Sequence, residues 1–237
     1  MLLSNTAIRR HLCLGNIVIE PFKEENLGTA SYDVTLGPWY FREARPAGGF
    51  EVYNYYDKAH VDRVWGTEPQ HAAPAREFAQ QRGLELRGID PDDLVIWLAP
   101  GETALCHTEE FIGGRGGVVT AMMKARSSLG RNFIEVCKCA GWGDVGYVNR
   151  WTMEATNNSR FYTLPLVVGR RIAQMVFFEV EKIESPESDY TKGGKYQSLT
   201  DIEELKRAWR PEMMLPKMYL DREVRSSFLP PRRGARP

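Results

Sequence analysis

Polar side chains that can do chemistry are concentrated in residues 122–158, between runs of apolar residues that are typical of strands. The stretch supplies two arginines, two adjacent serines and two carboxylates, namely Arg126, Arg131, Ser127, Ser128, Asp144 and Glu154. Guanidinium groups bind anionic oxygens, hydroxyl groups orient water or phosphate, and carboxylates transfer protons. The combination predicts a site for a small charged molecule.

The motif RSSLGR at residues 126–131 lies between two predicted strands, so we expect a turn or a single helical turn there. Backbone N–H groups and hydroxyl groups of such a turn can bind a phosphate, and the two arginines add charge-assisted hydrogen bonds. A solvated basic hairpin accounts for the same residues equally well.

Glu154 is the most informative of these residues because it lies inside a predicted strand. It alternates with Thr152 on one strand face, while Met153 points to the other face. A carboxylate buried in a strand costs several kcal/mol unless it is paired or carries a raised pKa. We expect Glu154 either to pair with Arg126 or Arg131 or to act as a proton carrier; the alternative is a glutamate on the strand surface.

Two glycine-containing loops add further polar groups. Residues 141–147, GWGDVGY, present Asp144, which could accept a hydrogen bond from a sugar hydroxyl or close an Asx-turn. Taken alone, the motif favours the turn. Residues 193–197, GGKYQ, could bring Lys195 to a phosphate, although a polar loop is the default interpretation.

The cysteines do not indicate a metal site. We expect Cys137 and Cys139 to share one strand face, but no further Cys or His follows at the spacing of a zinc site. The glycine-rich residues 113–117 lack the G-K-[ST] continuation of a P-loop. The sequence therefore predicts a protein without zinc and with reduced cysteines.

Charge and hydropathy exclude several classes of function. The 237 residues include 31 basic and 31 acidic side chains, so the formal net charge is zero. This balance argues against general binding of a nucleic-acid polymer or a membrane surface. No apolar run has the length of a membrane span or of a signal-peptide core. We expect a cytoplasmic protein.

Short β-rich runs separated by Gly and Pro turns predict an all-β sandwich or barrel. The predicted strands are 17–19, 31–37, 39–41, 94–98, 103–108, 118–123, 133–137, 150–156, 161–168 and 172–180. Helices are predicted at 5–14, 75–82 and 201–209, the last capped by Thr200. We expect one domain over 1–200, with 43–93 as an insertion or elaborated loop. Residues 201–237 then form a C-terminal helix and a mobile Arg- and Pro-rich tail.

Several segments, in this order, resemble the dCTP deaminases of the trimeric dUTPase-like superfamily. They are TASYDVTLG, LAPGETAL, KARSSLGR, AGWGDVGY, TMEATN and GGKYQ. The resemblance covers about residues 1–42 and 94–197 and needs no gap between Arg126 and Asn157. It implies a distorted β-barrel or jelly-roll-like protomer of the dUTPase type, assembled as a homotrimer whose active sites are shared between subunits.

The resemblance also implies an activity, the hydrolytic deamination of dCTP, or a closely related deoxycytidine nucleotide, to dUTP and ammonia without zinc. Glu154 matches the catalytic glutamate, which takes a proton from water and passes protons to N3 and the departing amine. Ser127 and Arg131 match residues that position the water and hold the glutamate. Arg126 and Ser128 match contacts to the triphosphate.

The remaining nucleotide contacts follow from the same resemblance. Asp144 matches a residue that binds the deoxyribose, and the strand residues Thr152, Met153 and Glu154 border the base. Tyr190 and Lys195 resemble tail residues that fold over the phosphates. Mg²⁺ is expected to accompany the triphosphate.

Two departures from the family pattern leave alternatives open. Val145 replaces a usual Pro and Asn149 replaces a small Gly, so a modified cytosine or a different phosphate count remains open. One alternative activity is that of a dUTPase or of a bifunctional dCTP deaminase and dUTP diphosphatase. Another is a non-catalytic nucleotide-binding regulator on the same scaffold.

Overall fold

The computed structural model describes residues 1–46 and 52–221. Within these residues the strands are β1 (Ile17–Glu20), β2 (Tyr32–Arg42), β3 (Gln70–His71), β4 (Ala73–Pro74), β5 (Leu94–Leu98), β6 (Thr103–Gly114), β7 (Val119–Ala125), β8 (Ile134–Glu135), β9 (Trp142–Gly143), β10 (Val148–Asn157), β11 (Leu164–Val167) and β12 (Arg171–Glu179). The α-helices are α1 (Asn5–Cys13), α2 (Lys58–Trp65), α3 (Ala75–Arg82), α4 (Ser127–Gly130) and α5 (Ile202–Ala208). Short 3₁₀ turns complete the set at Glu24–Asn26, Pro186–Ser188, Tyr190–Lys192, Pro211–Met214 and Met218–Leu220.

The strands form two antiparallel sheets, which confirms the predicted all-β class. The larger, curled sheet has the order β8-β10-β6-β2-β12-β7-β9, with β1 beside β6 and β3 beside β2. The smaller sheet has the order β11-β5-β4. Buried and less buried side chains alternate along β10 and β12, as the period of two requires, whereas β2 and β6 are buried on both faces over most of their length. The inward-facing side chains, such as Tyr32, Ile96, Ile112, Met123 and Phe177, meet in one core.

The predicted helices are confirmed with small changes at their ends. Helix α3 has the predicted bounds, and α1 ends one residue earlier than expected. The cap predicted for α5 is wrong, because Asp201 and not Thr200 is the N-cap residue. The Asp201 carboxylate accepts a hydrogen bond from the Glu204 N–H at 2.9 Å.

Three strand predictions need correction. The predicted strand 161–168 shortens to β11, Leu164–Val167. The runs 31–37 and 39–41 are one strand, β2, whose register with β6 shifts between Leu36 and Tyr40. The predicted strand 133–137 shortens to β8, because Phe133, Lys138 and Cys139 adopt positive φ angles of 67°, 42° and 64°. The same turn leaves Cys137 buried and Cys139 exposed, so the two thiols do not share a strand face.

The 43–93 segment is more regular than a loop. It contains two helices, α2 and α3, and two short strands that join both sheets, since β3 pairs with β2 and β4 pairs with β5. The arginines predicted for the C-terminal tail all lie in residues 222–237, outside the described residues. Among the described helices, none is long and apolar enough to cross a membrane.

Gly37 and His107 lock β2 against β6 at the register shift. His107 is fully buried, and its imidazole occupies the space where a Gly37 side chain would be. Its Nδ1 bonds to the Thr108 carbonyl at 2.8 Å, and its Nε2 accepts from the Trp39 N–H at 3.3 Å. Burial lowers the His107 pKa to about 4, so the ring is neutral at pH 7.

We therefore predict that Gly37→Ala destabilises the fold by about 1–3 kcal/mol, because the new methyl group overlaps the buried imidazole. The control is Gly130→Ala, where an added Cβ meets nothing within 4 Å and should change the stability by less than about 0.5 kcal/mol. The measurement is thermal unfolding at one fixed protein concentration. Equal melting temperatures for the two variants would contradict the packing described.

Candidate active site

A cleft of about 650 Å³ opens beside β10 and brings together four of the residues singled out from the sequence. They are Asp144, Thr152, Glu154 and Tyr190. Lys138 and Arg150 add positive charge to the same cleft, and aromatic residues from three parts of the chain close its sides. Four residues that were predicted to contact a nucleotide therefore line one cleft.

The alternation along β10 positions Glu154. Trp151 and Met153 are 4% and 0% exposed and face the core, whereas Thr152 and Glu154 are half-buried and face the cleft, as predicted. The Trp151 indole N–H donates to the Ile112 carbonyl at 2.7 Å and fixes this register. Because the Met153 side chain lies in the core, Met153 can contact a molecule in the cleft only through its backbone.

Burial dominates the electrostatics of Glu154. Desolvation raises the pKa of its carboxyl group, and the nearby positive charge of Lys138 opposes that shift. Among the described residues no cationic side chain lies within 4.0 Å of the carboxylate, so the expected pairing with Arg126 or Arg131 does not occur within one chain. A carboxyl group with a raised pKa suits the predicted alternative, a proton carrier.

An apolar wall accounts for this desolvation. Leu105 is the cross-strand partner of Glu154 and shares its face of the sheet. Phe41 and Met214 pack on Leu105, and Trp65 packs against the same cluster. The insertion and the C-terminal segment thus bring apolar side chains next to the candidate base.

The RSSLGR motif forms the single helical turn that was predicted, α4, but it lies outside the cleft of its own chain. The Arg126 guanidinium is 3.5 Å from Asp33, which also pairs with Arg171 at 3.1 Å. Arg126 lines a separate surface pocket beside Thr35, Arg170 and Arg171. Three further residues of the motif also do not line the cleft: Ser127, Ser128 and Arg131.

Of the two predicted tail residues, Tyr190 lines the cleft and Lys195 does not. The backbone N–H of Tyr190 donates to the Val145 carbonyl at 3.0 Å, and its ring meets Tyr147 edge-on at 5.1 Å. Tyr190 is thereby docked beside the Asp144 loop. Lys195 does not line the cleft and instead pairs with Asp221 at 3.1 Å.

Much of the cleft wall could not be predicted from the sequence. Tyr53 and Trp65 come from the insertion, and Trp209 and Met214 come from the C-terminal segment. No local motif marks these four residues, because they reach the cleft only through tertiary packing. Arg150 was detectable, since it alternates with Thr152 and Glu154 on the predicted strand.

Two of these wall residues carry buried polar atoms without a hydrogen-bond partner in the described part of the chain. They are the hydroxyl of Tyr53 and the indole nitrogen of Trp65. Burial raises the Tyr53 pKa, and the Trp65 side chain opposes that rise. The described residues contain no group of three or more His, Cys, Asp or Glu side chains that could hold a metal ion.

An antiparallel β fold of this kind also occurs in a solved deaminase. The structure of a 2'-deoxycytidine 5'-triphosphate deaminase from Agrobacterium tumefaciens superposes with a TM-score of 0.50 at 16% identity. The match covers 76% of this chain and 48% of that one, so this chain spans about half the length of its structural neighbour. At this identity the likeness shows the fold alone.

Sequence comparison gives the family. The family model described as dCTP deaminase-like matches residues 2–180, and the chain belongs to this family. A relative from Kocuria rhizophila named "dCTP deaminase, dUMP-forming" is 30% identical over 200 residues, 83% of this chain and 90% of that protein. A relative of the same name from Bifidobacterium animalis subsp. lactis is 32% identical over 200 residues, 83% of this chain and 89% of its own.

Proposed function

We propose that this protein hydrolytically deaminates dCTP, or a closely related deoxycytidine nucleotide, and releases dUMP. The observation that carries the proposal is Glu154, a half-buried strand carboxylate with a raised pKa inside a cleft of about 650 Å³. Water replaces the amine at C4 and ammonia leaves. A second water then cleaves the bond between the α- and β-phosphates, which yields dUMP and pyrophosphate.

The proposed product corrects the expectation from sequence. Motif resemblance alone implied dUTP as the product, with a bifunctional enzyme as an alternative. The curated relatives named above carry dUMP formation in their names. We therefore place the bifunctional activity first.

Glu154 supplies the proton transfers in the proposed deamination. Its ionised carboxylate accepts a proton from the attacking water, and the protonated form then serves N3 and the departing amine. A pKa raised towards neutrality suits both roles, because the group must be ionised at one step and protonated at the next. Asp144 would bind the deoxyribose, and Thr152 with the Met153 backbone would border the base.

The proposal assigns no step to zinc, since Glu154 itself activates the water. Mg²⁺ would accompany the triphosphate, where it supplies neutralising charge. The described residues offer it no cluster of carboxylates, so the phosphates would be its main ligands.

The first test is product analysis. Purified protein incubated with Mg²⁺ and dCTP should yield dUMP, pyrophosphate and ammonia, resolved by anion exchange and an ammonia assay. Glu154→Gln should reduce turnover by at least about 100-fold, because it removes the general base, while dCTP affinity stays within a few-fold. Glu203→Gln, on the exposed side of α5, is the matched control.

Each other product pattern has a distinct meaning. Accumulation of dUTP would show deamination alone, and dUMP formed only from added dUTP would show a dUTPase. Unchanged dCTP with tight binding would favour a nucleotide-binding regulator.

We further propose a homotrimer in which each cleft receives RSSLGR from a neighbouring subunit. Ser127 and Arg131 would orient the water, and Arg126 and Ser128 would contact the triphosphate. The support is positional: within one chain these residues lie outside the cleft that holds Glu154. Phe133 and Trp142 follow the motif as large apolar side chains that are 52% and 57% exposed.

Subunit mixing tests this sharing. Glu154→Gln and Arg131→Gln should each be inactive alone, yet trimers formed by co-expression at equal amounts should recover about a quarter of wild-type activity. This fraction arises because one site in four combines an intact Glu154 with an intact neighbouring Arg131. No recovery in mixed oligomers would place both residues in the same chain's site.

The pKa of Glu154 gives a pH prediction. Because the base must be ionised, kcat at saturating dCTP should fall as the pH drops through a value above about 4.3, the ordinary pKa of glutamate. Lys138→Gln removes the positive charge that lowers this pKa, so the acid limb should move to higher pH. Lys182→Gln, which lies outside the cleft, should leave the limb in place. An acid limb of the kcat profile that moves to lower pH in Lys138→Gln would contradict the assignment of Glu154 as the general base.

A further inference from the structure

Arg150 is a cleft residue to which neither the sequence motifs nor the family resemblance gives a role. It lies on β10, with its side chain on the same face as Thr152 and Glu154, and it lines the cleft together with Asp144. The strand therefore aligns a guanidinium group with the candidate base.

The Arg150 guanidinium is held rigidly. It lies 5.0 Å from the ring centroid of Phe111 and 4.7 Å from that of Trp209, so an aromatic ring stacks near it on each of two elements. Its Nε donates to the Glu109 carbonyl at 3.1 Å. Burial lowers the Arg150 pKa, but an arginine remains charged at neutral pH.

The charge of Arg150 has no direct partner in the described chain. No carboxylate there lies within 4.0 Å of it, and its two terminal amino groups have no hydrogen-bond partner among the described residues. The nearest acidic groups are engaged elsewhere. Glu109 bonds Lys23 at 2.9 Å, and Glu110 bonds the hydroxyl of Thr35 at 2.8 Å.

A half-buried guanidinium with an unused fork of donors favours an anionic oxygen. Along a strand, four residues span about 13 Å, so Arg150 lies well away from the Glu154 end of the cleft. A nucleotide whose base is next to Glu154 directs its phosphates away from that carboxylate. In the described part of the chain, two cationic side chains line the cleft. Lys138 lies near Glu154, whereas Arg150 lies far enough from Glu154 to meet the phosphates.

We propose that Arg150 binds a phosphate group of the nucleotide and so makes phosphate recognition a property of each chain's own cleft. This assignment rests on the proposed function for the identity of the ligand. It adds to the RSSLGR contacts from the neighbouring subunit and does not replace them.

The test measures how affinity depends on the phosphates. In a Glu154→Gln background, which blocks turnover, calorimetry gives the affinities of dCTP, deoxycytidine and inorganic tripolyphosphate with and without Arg150→Gln. Loss of a charge-assisted contact should weaken dCTP and tripolyphosphate by about 10- to 100-fold and deoxycytidine by less than about two-fold. Arg87→Gln, an exposed arginine outside the cleft, is the charge-matched control.

A structural role for Arg150 predicts a different pattern. If the guanidinium only supports Trp209, then dCTP and deoxycytidine should weaken by the same factor, and that result would overturn the proposal. Unchanged affinity for both would overturn it as well. If Arg150→Gln does not fold, Arg150→Lys keeps the charge but loses the fork, and it should weaken dCTP more than deoxycytidine.

The outcomes separate this inference from the proposed function. A protein that binds dCTP and tripolyphosphate through Arg150 but releases no ammonia contradicts the deamination alone. A protein that binds neither ligand contradicts both proposals. A protein that deaminates dCTP with equal affinity in the presence or absence of Arg150 contradicts only the phosphate site.

Discussion

The pairing of β10 with β6 is the constraint on which the candidate site depends. Its register sets Glu154 opposite Leu105 and Arg150 opposite Phe111, so the carboxylate meets an apolar partner and the guanidinium meets an aromatic one. A shift of one residue would turn Glu154 into the core and Met153 into the cleft. Long strands with buried alternate side chains resist such a shift, which makes the site as rigid as the sheet itself.

The cleft is completed by parts of the chain that lie outside the short motifs on which the family resemblance rests. Trp65 from the insertion and Met214 from the C-terminal segment pack in one cluster over Leu105, beside Glu154. Trp209 packs between His107 and Arg150. These contacts remove water from around both ionisable groups, and that desolvation is the main cause of the raised Glu154 pKa and the lowered Arg150 pKa. The insertion and the C-terminal segment therefore shift the pKa values of a site whose proposed general base, Glu154, lies on the larger sheet.

Within one chain RSSLGR lies apart from Glu154, and the proposed trimer would bring the two together in one active site. Asp33 pairs with both Arg126 and Arg171, and Arg126 lies outside the cleft that Glu154 lines. If subunits exchange this motif, base recognition and phosphate recognition depend on assembly. Arg150 then provides a phosphate contact that each protomer carries by itself.

Sequence alone determined the all-β class, the single-turn form of RSSLGR, and the alternation that places Thr152 and Glu154 opposite Met153. These features are local, because strand period and turn chemistry depend on neighbouring residues. Tertiary structure decided what faces Glu154. Neither of the expected partners, Arg126 and Arg131, pairs with Glu154 in the described part of the chain. No local pattern indicated that Trp65 and Met214 would pack beside it, since they lie about 90 and 60 residues away along the chain. Contacts between such distant segments are selected by the global packing of the fold, and no local pattern records them.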